Sequence, residues 1–178
     1  LAFDIGKAEW VDRLLDLYAE GEIPVRITHN DTKINNVMFD TATDQAVCVI
    51  DLDTVMPGLT LYDFGDLVRT ATNPMEEDEQ DLSKVAVRMD IFEALTRGFM
   101  ASAGRILNRT EVDHLAFSGK LIAFELGMRF LADHLNGDRY FKTRRPGQNL
   151  DRARCQLQLA RCLHEGEREM NSIVRNLV

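Results

Sequence analysis

Three short apolar runs, with a dense cluster of hydrogen-bonding side chains between the first two, constrain this chain more tightly than anything else in it. Val25-Arg26-Ile27 leads into His29-Asn30-Asp31-Thr32-Lys33-Ile34-Asn35-Asn36, and Val37-Met38-Phe39 leads out. The turn-rich stretch Asp40-Thr41-Ala42-Thr43-Asp44-Gln45 follows. Ala46-Val47-Cys48-Val49-Ile50, apolar at every position, then ends on Asp51. An unbroken apolar run is expected of a strand buried on both faces. The order strand, loop, strand, turn, strand predicts a β-hairpin that carries Asp51 to the side of Asn36.

The polar cluster has the form His-x-Asp-x-x-x-x-Asn, which sets out the parts of a phosphoryl-transfer site. Asp31 is placed to take the proton of an attacking hydroxyl, and Asn36, five residues later, to reach a magnesium ion. Asp51 supplies a second metal ligand. Magnesium takes hard oxygen donors, one or two carboxylates with an amide oxygen, water and substrate phosphates, and these residues offer that mixture without Cys or His. Asp53 is a further candidate, for a second metal or a substrate hydroxyl; an extended chain would put its side chain on the same side as that of Asp51. A polar loop that only caps its own backbone is the structural alternative.

Asp63-Phe64-Gly65 spells the Asp-Phe-Gly motif of protein kinases, but it lies 27 positions after Asn36 and no apolar strand delivers it. Asp51 is the better metal ligand. Asp63 is expected to cap a helix or to hydrogen-bond the backbone of the loop that carries Asp31.

The remainder reads as helical. Trp10, Leu14, Leu15, Leu17 and Tyr18 form an amphipathic pattern over about residues 7–20, closed by Gly21. Further helices are expected over Leu61 to Ala71, Asp90 to Ala103, Glu111 to Leu135 and Leu150 to Val174, with Thr110 as an N-cap. The fold class is therefore α+β, mainly helical, with five helices around one small hairpin. At 178 residues the chain suits a single core. No apolar run approaches the roughly 18 residues that span a bilayer, and no signal peptide precedes the first helix, so the expectation is a soluble, cytoplasmic protein. A net charge of -8 argues against a nucleic-acid surface. Cys48, Cys155 and Cys162 lack metal or redox spacing and read as reduced and buried. The acidic run Glu76-Glu77-Asp78-Glu79-Gln80-Asp81 and the basic cluster Lys142-Thr143-Arg144-Arg145 read as solvated loops.

Thr28 to Asp40, Cys48 to Gly58 and Tyr62-Asp63-Phe64-Gly65-Asp66 resemble the C-terminal lobe of the aminoglycoside phosphotransferase and choline kinase-like family. Arg129 to Thr143 and Gln148-Asn149-Leu150 are similar to the end of its N-acetylhexosamine 1-kinase branch. The resemblance implies a kinase-like catalytic lobe over residues 1–178, without the β-rich lobe whose lysine holds the nucleotide phosphates, and therefore a piece inactive alone. The start at Leu1-Ala2-Phe3, with no initiator Met, suits a fragment. It also implies ATP as co-substrate, Mg2+ as cofactor, and the anomeric hydroxyl of an N-acetylhexosamine as acceptor. Under it Asp31 is the base, Lys33 meets the transferred phosphate, and His29 braces the loop. Asn36 and Asp51 serve nucleotide and metal, and Asn35, Asp53 and Arg69 are weaker acceptor contacts. Dimerisation through an exposed interlobe face is a further expectation.

Two rivals remain at this point. A kinase of the same fold acting on choline, homoserine or an aminoglycoside would want an acidic or aromatic pocket for a cation. A non-catalytic, pseudokinase-like interaction module would be expected to have lost Asp31, Asn36 or Asp51, and all three are present.

Overall fold

Glycines at helix crossings determine how closely the main helices of this chain pack. A computed structural model describes residues 9–178, in the order α1 (Glu9–Ala19), β1 (Arg26–Thr28), β2 (Val37–Phe39), β3 (Ala46–Val49), β4 (Met56–Gly58), α2 (Thr60–Thr72), α3 (Met89–Ala103), α4 (Arg109–Asp113), α5 (Leu115–Leu135) and α6 (Gln148–Leu177). Short 3-10 turns sit at Ile34–Asn36, Leu52–Thr54 and Leu82–Lys84. On α2, a Cβ at Gly65 would stand 2.6 Å from the Ser118 carbonyl oxygen of α5. On α5, one at Gly119 would stand 2.7 Å from Val68 Cγ1, and one at Gly127 2.9 Å from Leu157 Cγ of α6. The missing side chains let α5 lie against α2 on one side and α6 on the other.

The core is built from those three helices, with α1 and α3 covering its sides. Phe64 of α2 is fully buried and meets Phe92 of α3 edge-on at 6.1 Å between ring centres. Trp10 of α1 meets Phe124 of α5 at 5.8 Å. Burying one such side chain contributes about 1.5–3 kcal/mol. Only Trp10, Leu14 and Leu17 of the apolar stripe on α1 are buried, while Leu15 and Tyr18 are half exposed. Gly21 follows with φ +77, as a C-terminal glycine should. The predicted first turn at residues 7 and 8, like Leu1 to Phe3, lies outside the described residues.

Two antiparallel two-stranded sheets replace the single hairpin expected. The β2–β3 hairpin forms with Val37 opposite Val49 and Met38 opposite Cys48, and β1 pairs with β4, Thr28 facing Met56. The doubly buried strand does not appear. All four residues of Ala46–Val49 are exposed, Val47 at 66%, because a two-stranded sheet has no inner strand and no helix among the described residues lies over this one. Cys48 is exposed with it, whereas Cys155 is buried and Cys162 partly so; all three are free thiols. Burial pushes the Cys155 thiol up to about 11.

The expected helix from Glu111 to Leu135 is two. His114 Nδ1 lies 2.8 Å from the Thr110 carbonyl that the His114 N–H would take in an α-helix, and that N–H donates instead to Glu111. A 3-10 step at His114 separates α4 from α5. The N-cap is Asn108 rather than Thr110: its side chain accepts from Glu111 N while Glu111 accepts from Asn108 N, a reciprocal capping box. The buried Glu111 also binds Arg26 of β1 at 2.8 Å, so one carboxylate joins the helical body to the strand entering the polar loop. Nor are the charged loops simply solvated. Glu77 pairs with Arg69 at 2.8 Å and Asp78 with Arg145 at 3.1 Å, stapling the acidic run to α2 and to the segment before α6.

No described helix is long and apolar enough to cross a membrane. Met128 of α5 is exposed at 40%. Near the end of α5, the buried Asp133 accepts from the backbone N–H groups of Arg139, Tyr140 and Phe141 at 2.9–3.0 Å and from Asn149 Nδ2 at 3.0 Å. The Phe141 amide leads the shift of this carboxyl below the ordinary carboxylate range, with the Tyr140 and Arg139 amides adding to it.

Gly65→Ala should lower stability by about 1–3 kcal/mol, because the new methyl meets helix backbone that cannot turn aside; chemical denaturation with unchanged m-value measures it. Since the folded pKa of Asp133 is depressed, its contribution is complete above the ordinary range near pH 4 and is lost as pH falls through the folded value. The melting-temperature gap between the wild type and Asp133→Asn should be largest near neutrality and close as pH drops below 4.

Candidate phosphotransfer site

A strap across the face of α2 sets the shape of the loop between β1 and β2. Asp63, in the first turn of α2, accepts from His29 N at 2.8 Å with one carboxylate oxygen and from Asn30 N at 2.7 Å with the other. Thr32 donates its hydroxyl to the Asp63 carbonyl at 2.6 Å. Of the two roles open to Asp63 from sequence, the geometry shows the second: Leu59 is the N-cap of α2, and Asp63 binds loop backbone. Held in this way, Asn30 adopts φ +63, a conformation asparagine tolerates better than most residues. The Asn30 side chain donates to Thr54 O at 3.0 Å and so joins this loop to the one carrying Asp51 and Asp53. Gly58 of β4 lies behind it, where a Cβ would stand 2.7 Å from Asn30 Oδ1.

Asp31 follows at the crest of the strap. Its Oδ2 receives Lys33 Nζ at 2.6 Å and Asn36 Nδ2 at 3.0 Å, and Asn36 Nδ2 also donates to the Asp31 carbonyl at 2.8 Å. Both partners of the Asn36 amide are acceptors, so its NH2 end must face them and its carbonyl oxygen must face away. No hydrogen bond to Asp31 Oδ1 occurs among the described residues. His29 is half-buried, its Nε2 3.2 Å from the Ile50 carbonyl, and that contact holds the loop against the end of β3.

Across the hairpin, Ile50 N donates to Asn36 O at 2.9 Å, which sets Asp51 one residue beyond the partner of Asn36. Asp51 has φ +63 and ψ +56, and Leu52–Thr54 winds into a 3-10 turn. The extended alternation expected to align Asp51 with Asp53 is therefore absent, because the chain reverses its twist at Asp51. Both carboxylates are exposed, and Asp51 has no hydrogen-bond partner among the described residues. Asn36 Oδ1 and the Asp51 and Asp53 carboxylates are hard oxygens of the kind Mg2+ takes beside water and phosphate oxygens, and both carboxylates are open to solvent. No group of three or more His, Cys, Asp or Glu side chains gathers around one point among the described residues.

Beside Asp31 opens a cleft of about 340 Å³ between α2 and α5, lined by Asn30, Asp31, Tyr62, Asp66, Arg69, Ile122, Glu125, Leu126 and Arg129. Of the acceptor contacts expected, Asp31 and Arg69 are in it; Asn35 and Asp53 are exposed and lie outside it. Arg69 is committed elsewhere, buried and bound to Asp66 at 2.8 Å and Glu77 at 2.8 Å. Burial opposes the Arg69 charge, but Asp66 and Glu77 outweigh it and hold the pKa above its ordinary value. Burial, with Glu125 nearby, also pushes the Tyr62 phenol above its usual value, so it stays a hydrogen-bond donor at neutral pH.

Tyr62, Asp66, Glu125 and Arg129 were not singled out from the sequence. The available signal was spacing: Tyr62 and Asp66, and Glu125 and Arg129, are polar pairs four apart on helices that otherwise turn apolar faces inward. The segment that builds this loop, both sheets and α2 also matches a family model. Residues 2–89 match the model described as the phosphotransferase enzyme family, and that match supports kinship with the aminoglycoside phosphotransferase and choline kinase-like proteins and an activity of the small-molecule kinase type.

Proposed function

We propose that this chain is the acceptor-phosphorylating lobe of an ATP- and Mg2+-dependent kinase that acts on the anomeric hydroxyl of an N-acetylhexosamine. The observation that carries the reading is the shared oxygen of Asp31. Lys33 and Asn36 both bind Oδ2 of this cleft-lining residue, which orients the carboxylate and leaves Oδ1 for the proton of an incoming hydroxyl. The acceptor oxygen forms a bond to the γ-phosphorus as its proton passes to Asp31, and the bond to the ADP oxygen breaks. Little covalent chemistry is asked of the protein, so positioning and charge do most of the catalysis. Bound Mg2+ neutralises phosphate charge; Asn36, Asp51 and Asp53 are the residues to hold it. Lys33 stands on the same carboxylate, from which it can turn toward a phosphoryl oxygen.

Charge balance in the cleft supports a neutral, polyhydroxylated acceptor over a cation. Asp31 is paired with Lys33, Asp66 with Arg69, and Glu125 lies 3.9 Å from Arg129. The last pair is half exposed and contributes little to stability, yet it still cancels charge. A cleft of this size is of the order that takes a small molecule. Choline or an aminoglycoside would meet no unpaired carboxylate other than by displacing one of these partners. Within this reading the ATP phosphates are gripped by a β-rich lobe outside these 178 residues. The exposed apolar strands β2 and β3, adjoining the metal loop, are where such a lobe would close.

In the enzyme with its nucleotide lobe, Asp31→Asn should lower kcat by about 10²–10⁴-fold with sugar KM nearly unchanged, the pattern of a group used in the transition state. Steady-state kinetics against N-acetylglucosamine, N-acetylgalactosamine, choline, homoserine and kanamycin is the check. Turnover of choline, homoserine or kanamycin equal to or faster than that of the amino sugars would move the assignment to that acceptor class.

A further inference from the structure

The loop bearing Asp31 is pinned to α2 at its start by Asp63, and a second pin holds its far end. Thr70 lies seven residues after Asp63, two turns along the same face of α2. Its hydroxyl donates to the Asp66 carbonyl at 2.8 Å, so its single proton is committed within its own helix. Toward the loop the oxygen can therefore only accept, and it receives the Ile34 N–H at 3.0 Å. Ile34 opens the 3-10 turn Ile34–Asn36, whose N-cap, Lys33, provides no side-chain cap. The first N–H groups of such a turn lack internal partners. Thr70 caps it from another element.

We infer that Thr70 is a positioning residue of the phosphotransfer site, holding the Lys33–Asn36 turn so that Lys33 and Asn36 converge on one oxygen of Asp31. The inference rests on the phosphotransfer reading above. A threonine inside a helix commonly bonds the carbonyl four residues back with no further consequence. The Ile34 bond is what distinguishes this one. Lys33, immediately before the captured N–H, and Asn36, at the end of the turn it opens, are the residues that touch Asp31. The two pins bracket Asp31 to Lys33, holding the backbone N–H groups of His29 and Asn30 on one side and of Ile34 on the other.

Thr70→Val keeps the shape and removes the acceptor; Thr70→Ser keeps the hydroxyl. On the isotopically labelled 178-residue chain, Thr70→Val should speed hydrogen exchange at Ile34 N by about tenfold, the scale of one lost hydrogen bond. It should also shift the Asn36 side-chain amide resonance at nearly unchanged melting temperature, and Thr70→Ser should restore both. In the active kinase, Thr70→Val should lower kcat about tenfold with both KM values within threefold, and add less than twofold in an Asp31→Asn background. Unchanged Ile34 exchange and Asn36 resonance in Thr70→Val, a serine variant that behaves like valine, or a kcat loss undiminished by Asp31→Asn would each overturn the inference. If Asp31→Asn leaves phosphotransfer intact, the functional reading fails instead, and the resonance measurements alone decide the role of Thr70.

Discussion

The carboxylate of Asp63, receiving two consecutive backbone N–H groups, is the interaction on which the rest of the site depends. It binds His29 N and Asn30 N at 2.8 and 2.7 Å, and charge-assisted bonds of this kind are about twice as strong as neutral ones. Fixing those two peptides forces Asn30 into positive φ. That turn sends the Asn30 side chain toward Thr54 and places Asp31 at the cleft. The demand then spreads to β4, where Gly58 leaves the volume that Thr28 and Asn30 occupy. It spreads also to α2, which must lie close to α5 to be rigid, and the glycines at 65 and 119 permit that approach. A helix packed on bare backbone is a firm base for a loop that has few apolar contacts of its own.

Two distinct kinds of charge pairing surround the cleft. Arg69 is buried and bound on both sides, by Asp66 and Glu77, and through Glu77 it ties α2 to the loop before α3. Removing one member would strand a buried charge, so this network belongs to the frame more than to a ligand. Glu125 and Arg129 are half exposed, weakly paired and free to rearrange around an incoming molecule. The division explains why Arg69, legible in sequence as a polar residue near the motif, is a poor acceptor contact despite lining the cleft.

The loop, the β2–β3 hairpin and most of the helices were readable in the sequence because each has a local cause. Asp31 and Asn36 are five apart by motif, strand pairing brings Asp51 to within one residue of the Ile50 that faces Asn36, and the helices follow apolar periodicity. Apolarity at Ala46–Val49 suggested burial that the described residues do not provide; composition reports what a strand tolerates, not what lies over it. The pairing of β1 with β4 was missed because Met56-Pro57-Gly58 lacks alternation and carries a proline, as an edge strand can. The break at His114 comes from one imidazole contact and has no periodic signature. The lining of the cleft by α5 is a tertiary fact, set where Gly65 meets Ser118, some fifty residues apart in the chain.

In the proposed kinase two aspartates divide the labour, Asp63 holding the loop by hydrogen bonds and Asp51 facing the metal. Adding Mn2+, with and without ATP, to the isotopically labelled protein and recording paramagnetic broadening tests it most directly, since broadening falls steeply with distance from the ion. The resonances of Asp51 to Asp53 and the Asn36 side-chain amide should disappear first, Asp51→Ala should abolish this pattern, and the His29 and Asn30 amides should stay protected from exchange throughout. Broadening centred on Asp63, persisting in Asp51→Ala and accompanied by loss of that protection, would contradict it.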